Sequence, residues 1–421
     1  MQSSTRRWVG RFDVLVLSAL VWFLGKFVRY AFPPLFGTLG DGYGVSRTLL
    51  GTAFTGFMLI YALLQFPSGL LADRYGAVRV IVGGSLLTAV GALATLVDAP
   101  FVVLAGAMLA MGAGTGTYKT VAVRLLARTY PSQTGRVLGV FDTFGTFGGV
   151  AAPAAIVLVA SRPVVFGAPW RLVFLGAAIG SVLLAIAFAL RVSDRDSTTS
   201  HDDSTASTPA DNSDAGHEGT GTADAVDVRT YIGMFRRPTF TGFVLVTILF
   251  GFAYNGTVAF LPLYLTSETT LSSVTANLLF SALFVVSVVQ LLTGEASDRV
   301  GTPPILVLTL AAATAGLLAI LAVSDTGGPL LLGAAVLTLG IGAHGFRPVR
   351  GAYLMDIVPD AVAGGSFGIV RTLLMGAGAI APAIVGYLSE TAGFRPAFSL
   401  LAGSLLGATG LMVVLWIADR S

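Results

Sequence analysis

Apolar positions run along this chain in twelve blocks, at about 12–37, 49–71, 79–97, 101–128, 136–160, 171–191, 239–265, 273–293, 304–323, 329–356, 366–388 and 396–417. Each block is continuous rather than alternating, and about 20 residues suffice for a helix to cross the bilayer core. Barrel strands would instead show ~10-residue alternating segments. The pattern predicts twelve transmembrane helices. Only one long polar stretch interrupts it, Ser193 to Arg237, rich in Ser, Thr, Asp and Gly. Such a composition buries no core and predicts a disordered acidic linker. The expected layout is therefore a six-helix bundle over 1–192, a linker over 193–237 and a second six-helix bundle over 238–421.

Composition agrees with lipid as the solvent. Apolar residues make up 54% and charged residues only 11%, against about 25% charged in soluble domains. A formal charge of +3 gives no footprint for nucleic acid. Cysteine is absent, which removes disulfides, thiolate nucleophiles and Cys metal sites. No phosphate loop, metal-ligand pair or nucleophile triad is present, so neither an enzyme nor a cofactor is expected.

Arginine sets the expected orientation. Residues such as Arg6, Arg7, Arg11, Arg79, Arg136, Arg191, Arg236, Arg237 and Arg420 flank the loops on the side of the termini, while Arg47, Arg162, Arg171 and Arg395 mark the other. The positive-inside bias predicts cytoplasmic termini and linker in a multi-pass protein of the cytoplasmic membrane. Arg6-Arg7 precedes a full-length apolar run with no small-residue cleavage site, and reads as an uncleaved first helix rather than a twin-arginine signal.

The two halves repeat. Gly69-Leu70-Leu71-Ala72-Asp73-Arg74-Tyr75-Gly76 follows the second helix, and Gly294-Glu295-Ala296-Ser297-Asp298-Arg299-Val300-Gly301 follows the eighth, 225 positions on. Gly112, Tyr118-Lys119 and Pro131 match Gly340, Phe346-Arg347 and Pro359 at 228, and Ala152-Pro153 matches Ala381-Pro382 at 229. A near-constant offset indicates duplication of a six-helix unit.

These motifs, with the run Gly139, Gly145, Gly148, Gly149 and Pro153 in the fifth helix, make the chain resemble the major facilitator superfamily. The resemblance implies an all-α fold of two pseudo-symmetric six-helix bundles, with helices 1, 4, 7 and 10 lining a central cavity. It also implies that Asp73, Arg74, Asp298 and Arg299 control the swing between states. The Arg that many members carry ahead of the fourth-helix glycines is missing.

Charge at membrane depth is costly, so a buried ionisable group faces a cavity, has a partner, or both. Lys26, Arg29, Lys119, Arg347 and Arg371 qualify, and Lys26 and Lys119 are the chain's only lysines. Asp142 is the only acid at similar depth, and its position in the repeat mirrors Arg371. A site so positive calls for an anion to neutralise it. The expected substrate is a small organic anion, carboxylate or phosphorylated, bound by Lys26, Arg29, Lys119 and Arg347. Lys119 and Arg347 are expected to lack a fixed protein partner. His344, Tyr30, Tyr118, Tyr254, Asn255, Gln65 and Gln290 are candidate hydrogen-bonders for the pocket, with helix–helix contact as the plain alternative. Lys26 or Arg29 could equally snorkel outward, since Pro33-Pro34 ends the first helix. Arg371 could pair with Asp142 as a latch. Arg124, Arg128 and Arg350 are expected at the cytoplasmic interface.

The reading is a monomeric secondary transporter working by alternating access, as symporter or antiporter. Proton, sodium and counter-anion remain open as coupling partners, with Asp142 as the carboxylate for coupling and His344 as a second candidate. A proton-coupled exporter of drug-like molecules and a non-transporting anion sensor are the alternatives.

Overall fold

The computed structural model describes residues 2–163, 166–192, 233–358 and 363–420, with side chains over 12–163, 166–192, 233–358 and 370–420. Among them twelve helical spans are long and apolar enough to cross a membrane: α1 Phe12–Tyr43, α2 Arg47–Tyr75, α3 Ala77–Ala94, α4 Phe101–Thr129, α5 Pro131–Val159, α6 Arg171–Arg191, α7 Pro238–Glu268, α8 Ser273–Val300, α9 Thr302–Val323, α10 Pro329–Ile357, α11 Val370–Thr391 and α12 Phe394–Ala418. Most of the expected linker lies outside the described residues. Its end does not behave as linker, because Met234 is buried in the core and Phe235 packs edge-on to Phe240 at 5.2 Å.

Three spans are interrupted, one at the Pro33-Pro34 pair and two where sequence periodicity is silent. Pro33 and Pro34 replace the α1 helix with a 3₁₀ turn before it resumes at Phe36. In α4 the helix stops at Gly116 and restarts at Tyr118. There the Thr117 hydroxyl donates to the Gly114 carbonyl at 2.8 Å. A 3₁₀ turn over Val286–Val288 divides α8.

Duplication extends to backbone detail. Ser46 caps the start of α2 by accepting from Leu49 N, and Ser272 caps α8 by accepting from Thr275 N. Gly76 and Gly301 end those helices at φ +91° and +92°. Only glycine enters that region without strain. Gly69 behaves otherwise: a Cβ there would meet nothing closer than 3.6 Å, so no tight approach requires it.

An even number of spans puts Phe12 and Ala418 on one face of the bundle. On the opposite face the halves are sealed. Thr48 donates to Glu390 through both its backbone N–H, at 3.1 Å, and its hydroxyl. Arg47 donates to Ser389 O at 3.1 Å and stacks on Phe394. A Cβ at Gly51 would lie 2.3 Å from Pro382 O, so α2 and α11 touch backbone to backbone. Ser281 of α8 donates to Val150 O of α5. Among the described residues, the hydrogen bonds between halves set nearest the termini face are those of Gln65 with Arg371 and Met375. At about that level Asp142, roughly 16 Å inside α5, still keeps 56% of its side chain exposed. The structure is closed on the far face and open toward the termini.

Candidate functional site

Helix α1 supplies the floor of the cavity. Trp22, Lys26 and Tyr30 recur every four residues and therefore share one face. The α5 glycines bring that face inward. A Cβ at Gly145 would sit 1.9 Å from Trp22 Cδ1, and one at Gly148 2.3 Å from Phe23 O. Without side chains there, α5 lies directly on α1 and the indole fills the space. Gly149 makes the same concession to Phe284 of α8.

Aromatic rings cradle the cations. Lys26 Nζ lies 5.0 Å from the Trp22 ring centre and Lys119 Nζ 4.9 Å from the same ring. Lys26 and Arg29 both lie 5.5 Å from the Tyr30 ring, and Arg29 also meets Tyr61 at 5.6 Å. From the other half, Arg347 stacks on Tyr254 at 4.6 Å. Such contacts stabilise a desolvated cation by about 0.5–2 kcal/mol without cancelling its charge. Arg29 Nη2 also donates to Asn255 Oδ1 at 2.8 Å, which ties α1 to α7 across the two halves. Neither Lys26 nor Arg29 snorkels outward.

Other expectations need correcting. Lys119 does have a fixed partner: its ammonium is 2.8 Å from Asp142 Oδ1. Asp142 is therefore latched to Lys119 within its own half and not to Arg371. Arg371 instead donates to Gln65 Oε1 at 2.9 Å. The repeat put Asp142 and Arg371 at mirror positions, but mirror positions lie in different halves and need not touch. Tyr118 is no pocket residue. It is fully buried, 2.9 Å from the Thr88 hydroxyl of α3 and packed over Gly25. Gln290 donates to Ser287 O on its own helix. His344 is wholly buried between the Tyr254 and Phe284 rings, one turn before Arg347, and the two share the Tyr254 ring.

The loop motif sits away from the cavity, at the termini face. Asp73 accepts a forked pair from Arg124, at 2.8 and 3.0 Å, and Arg124 also reaches Gly69 O. That joins α2 to α4. Arg74 stacks on Tyr75, while in the copy Arg299 pairs with Glu295 one turn back on its own helix. Trp22, Tyr61 and Phe284 are the lining residues that sequence reasoning missed. Apolar rings in apolar helices carry no charge signal, but the four-residue spacing around Lys26 could have exposed the first.

Comparison with known proteins now fits this geometry. A family model described as Major Facilitator Superfamily matches residues 17–346 and 243–421. The chain belongs to the major facilitator superfamily. It is 24% identical over 417 residues, 95% of this chain and 92% of the other, to a protein of Cupriavidus necator described as a probable sulfoacetate transporter, SauU. An oxalate:formate antiporter of Oxalobacter formigenes is 28% identical over 182 residues, 43% of each chain. Among solved structures, a D-xylose–proton symporter superposes with a TM-score of 0.75 at 14% identity, covering 96% of this chain and 97% of that one. A bacterial homologue of the lysosomal transporter Spinster, inward-facing and occupied, gives 0.72 at 16%, covering 97% of each. At such identities these structures speak for the superfamily fold alone. The chain is a multi-pass membrane transport protein.

Proposed function

We propose that this superfamily member carries a small organic anion bearing carboxylate or sulfonate groups. One observation carries the reading. Lys26, Arg29, Lys119 and Arg347 converge on the cavity from both halves, and among the described residues Asp142 is the only acid paired with any of them. A cationic substrate would be repelled there, whereas an oxyanion would gain charge-assisted hydrogen bonds from ammonium and guanidinium donors. The names of the two relatives, a probable sulfoacetate transporter and an oxalate:formate antiporter, support the same substrate class.

In this reading Asp142 holds the place of the anion on Lys119 until substrate arrives. Arg347 and Arg29 come from opposite halves, so an anion bridging them favours the state in which the halves close around it. That differential contact is what a ligand-driven change of state requires. With the arginine-rich face in the cytoplasm, the structure is the inward-open state and the Thr48–Glu390 contact belongs to the external gate. The sensor alternative would bind the anion without moving it.

Proteoliposomes preloaded with unlabelled anion and offered radiolabelled oxalate or sulfoacetate test the reading. Uptake of either acid, lost in Arg347→Gln, supports it. Movement of cationic dyes without either acid overturns it, and binding without flux favours the sensor.

A further inference from the structure

A second cavity lies at the seam between the halves, beside the closed far face, where α5 ends and α8 begins. It has a volume of about 160 Å³. Pro34 and Gly37 line it from α1, Val157 from α5, Leu263 from α7, and Val274 and Asn277 from α8. Both halves therefore supply walls. The α1 wall is the 3₁₀ turn and the residues after it, where Gly37 puts no side chain into the space.

Asn277 sets the chemistry of the cavity. It is only 6% exposed, yet among the described residues its amide makes no hydrogen bond. Ser281, one turn deeper on the same face of α8, donates to Val150 O of α5 at 3.1 Å. Asn277 finds no such partner across the seam and lines the cavity instead. An amide buried without a partner is costly, and a ligand that hydrogen-bonds to it removes that cost. No residue lining the space is charged, so an anion would lose its hydration there and gain no counter-charge. Most of the wall is apolar. The volume suits a single ring, since an apolar cavity of about 150 Å³ takes up benzene.

We propose that this cavity binds a small uncharged amphiphile, a ring of phenol's size with one hydroxyl head on Asn277. The walls belong to opposite halves, so the site exists only while the far face is closed. A ligand that binds one state alone shifts the balance toward it. The bound amphiphile thus holds the carrier shut on that face. The site is separate from the cations of the anion path, and its test contains no anion.

Equilibrium dialysis of radiolabelled phenol against the purified full-length protein in detergent should show one saturable site per chain. Val157→Phe fills the cavity with a ring and should remove that site; what remains in this variant is uptake by detergent. Asn277→Leu keeps the size but loses the amide, and should weaken phenol about 3- to 10-fold. Benzene should bind wild type more weakly than phenol does, whereas Asn277→Leu should bind the two alike. Saturating phenol should also slow the reaction of a thiol reagent with Thr55→Cys, beneath the seal, except when Val157→Phe is present. Circular dichroism and elution volume establish that each variant is folded, and the comparison of phenol with benzene on wild type needs no variant. Equal binding of phenol and benzene by wild type marks an apolar slot for a lipid chain and overturns the proposal. So does the absence of saturable phenol binding, its survival in Val157→Phe, or a Thr55→Cys reactivity that bound phenol leaves unchanged.

Discussion

At the residue scale the decisive contact is Lys119 with Asp142. An anion that binds Lys119 has to compete with a carboxylate already 2.8 Å away. Asp142 is more than half exposed, so the pair contributes little beyond the ~0.2–1 kcal/mol of a surface ion pair. Asp142→Asn should therefore tighten anion binding modestly, by about 2- to 5-fold. The measurement is oxalate-induced thermal stabilisation of purified protein, and weaker binding by the variant would show that Asp142 shapes the site rather than competing in it. Lys119→Gln and Arg347→Gln should act oppositely. Each loses a charge-assisted hydrogen bond, about 1.5–3 kcal/mol or 10- to 150-fold in affinity. Arg347→Lys should recover only part, because an ammonium cannot copy the planar fork over Tyr254. Had both Gln variants the affinity of wild type, the anion would have to bind through Lys26 and Arg29 alone.

At the scale of elements, the loop-motif glycines divide by backbone geometry. Gly76→Ala and Gly301→Ala should each cost about 1–3 kcal/mol, because both hold φ near +90°. Gly69→Ala and Gly294→Ala should be close to neutral, since neither position is crowded. Thermal denaturation of the four variants checks this, and equal losses across all four would contradict it. Gly145 and Gly148 of α5 should be still less forgiving, since Gly148→Ala forces α1 and α5 apart just where Lys26 is presented. Much of this architecture could be read beforehand. Twelve spans are legible because a membrane helix needs an unbroken apolar run, and the repeat is legible because duplication keeps its offset. The break at Thr117 and the 3₁₀ turn at Val286 are not, since a local change of hydrogen-bond register leaves the apolar pattern intact. Nor is the Lys119–Asp142 pair. It depends on how α4 and α5 are rotated about their axes, which no one-dimensional spacing records. The cations themselves stood out because charge in an apolar run is conspicuous, while the rings that cradle them are camouflaged among other apolar residues.

At the scale of the whole molecule, the far face is held by few polar links, so it can open. Glu390 reaches from α11 to the first turn of α2 and accepts from Thr48, a carboxylate at a helix N-terminus contributed by the other half. The contact exists only while that face is closed. The chain has no cysteine, so cysteines introduced at Thr48 and Glu390 react against a silent background. A short bifunctional thiol crosslinker should join them and stop transport, and a reducible one should release it on reduction. Crosslinking that leaves transport untouched would mean that this face does not open during the cycle. Glu390→Gln should raise the reactivity of a single cysteine at Thr55, which lies under the seal and accepts from Ala383 N.

The Lys119–Asp142 pair has one more consequence, for how tightly the carrier keeps its accounts. A strict exchanger must not return empty, and four unneutralised cations would make an empty cavity hard to close. Here the cavity carries its own surrogate anion on Lys119, so part of that barrier is already removed. The protein should therefore leak: preloaded vesicles should lose labelled anion slowly even with no anion outside to trade for it. Asp142→Asn, which removes the surrogate, should slow that one-way loss while sparing exchange. The ratio of the two fluxes, read in the same vesicles, measures how far a single carboxylate loosens the coupling.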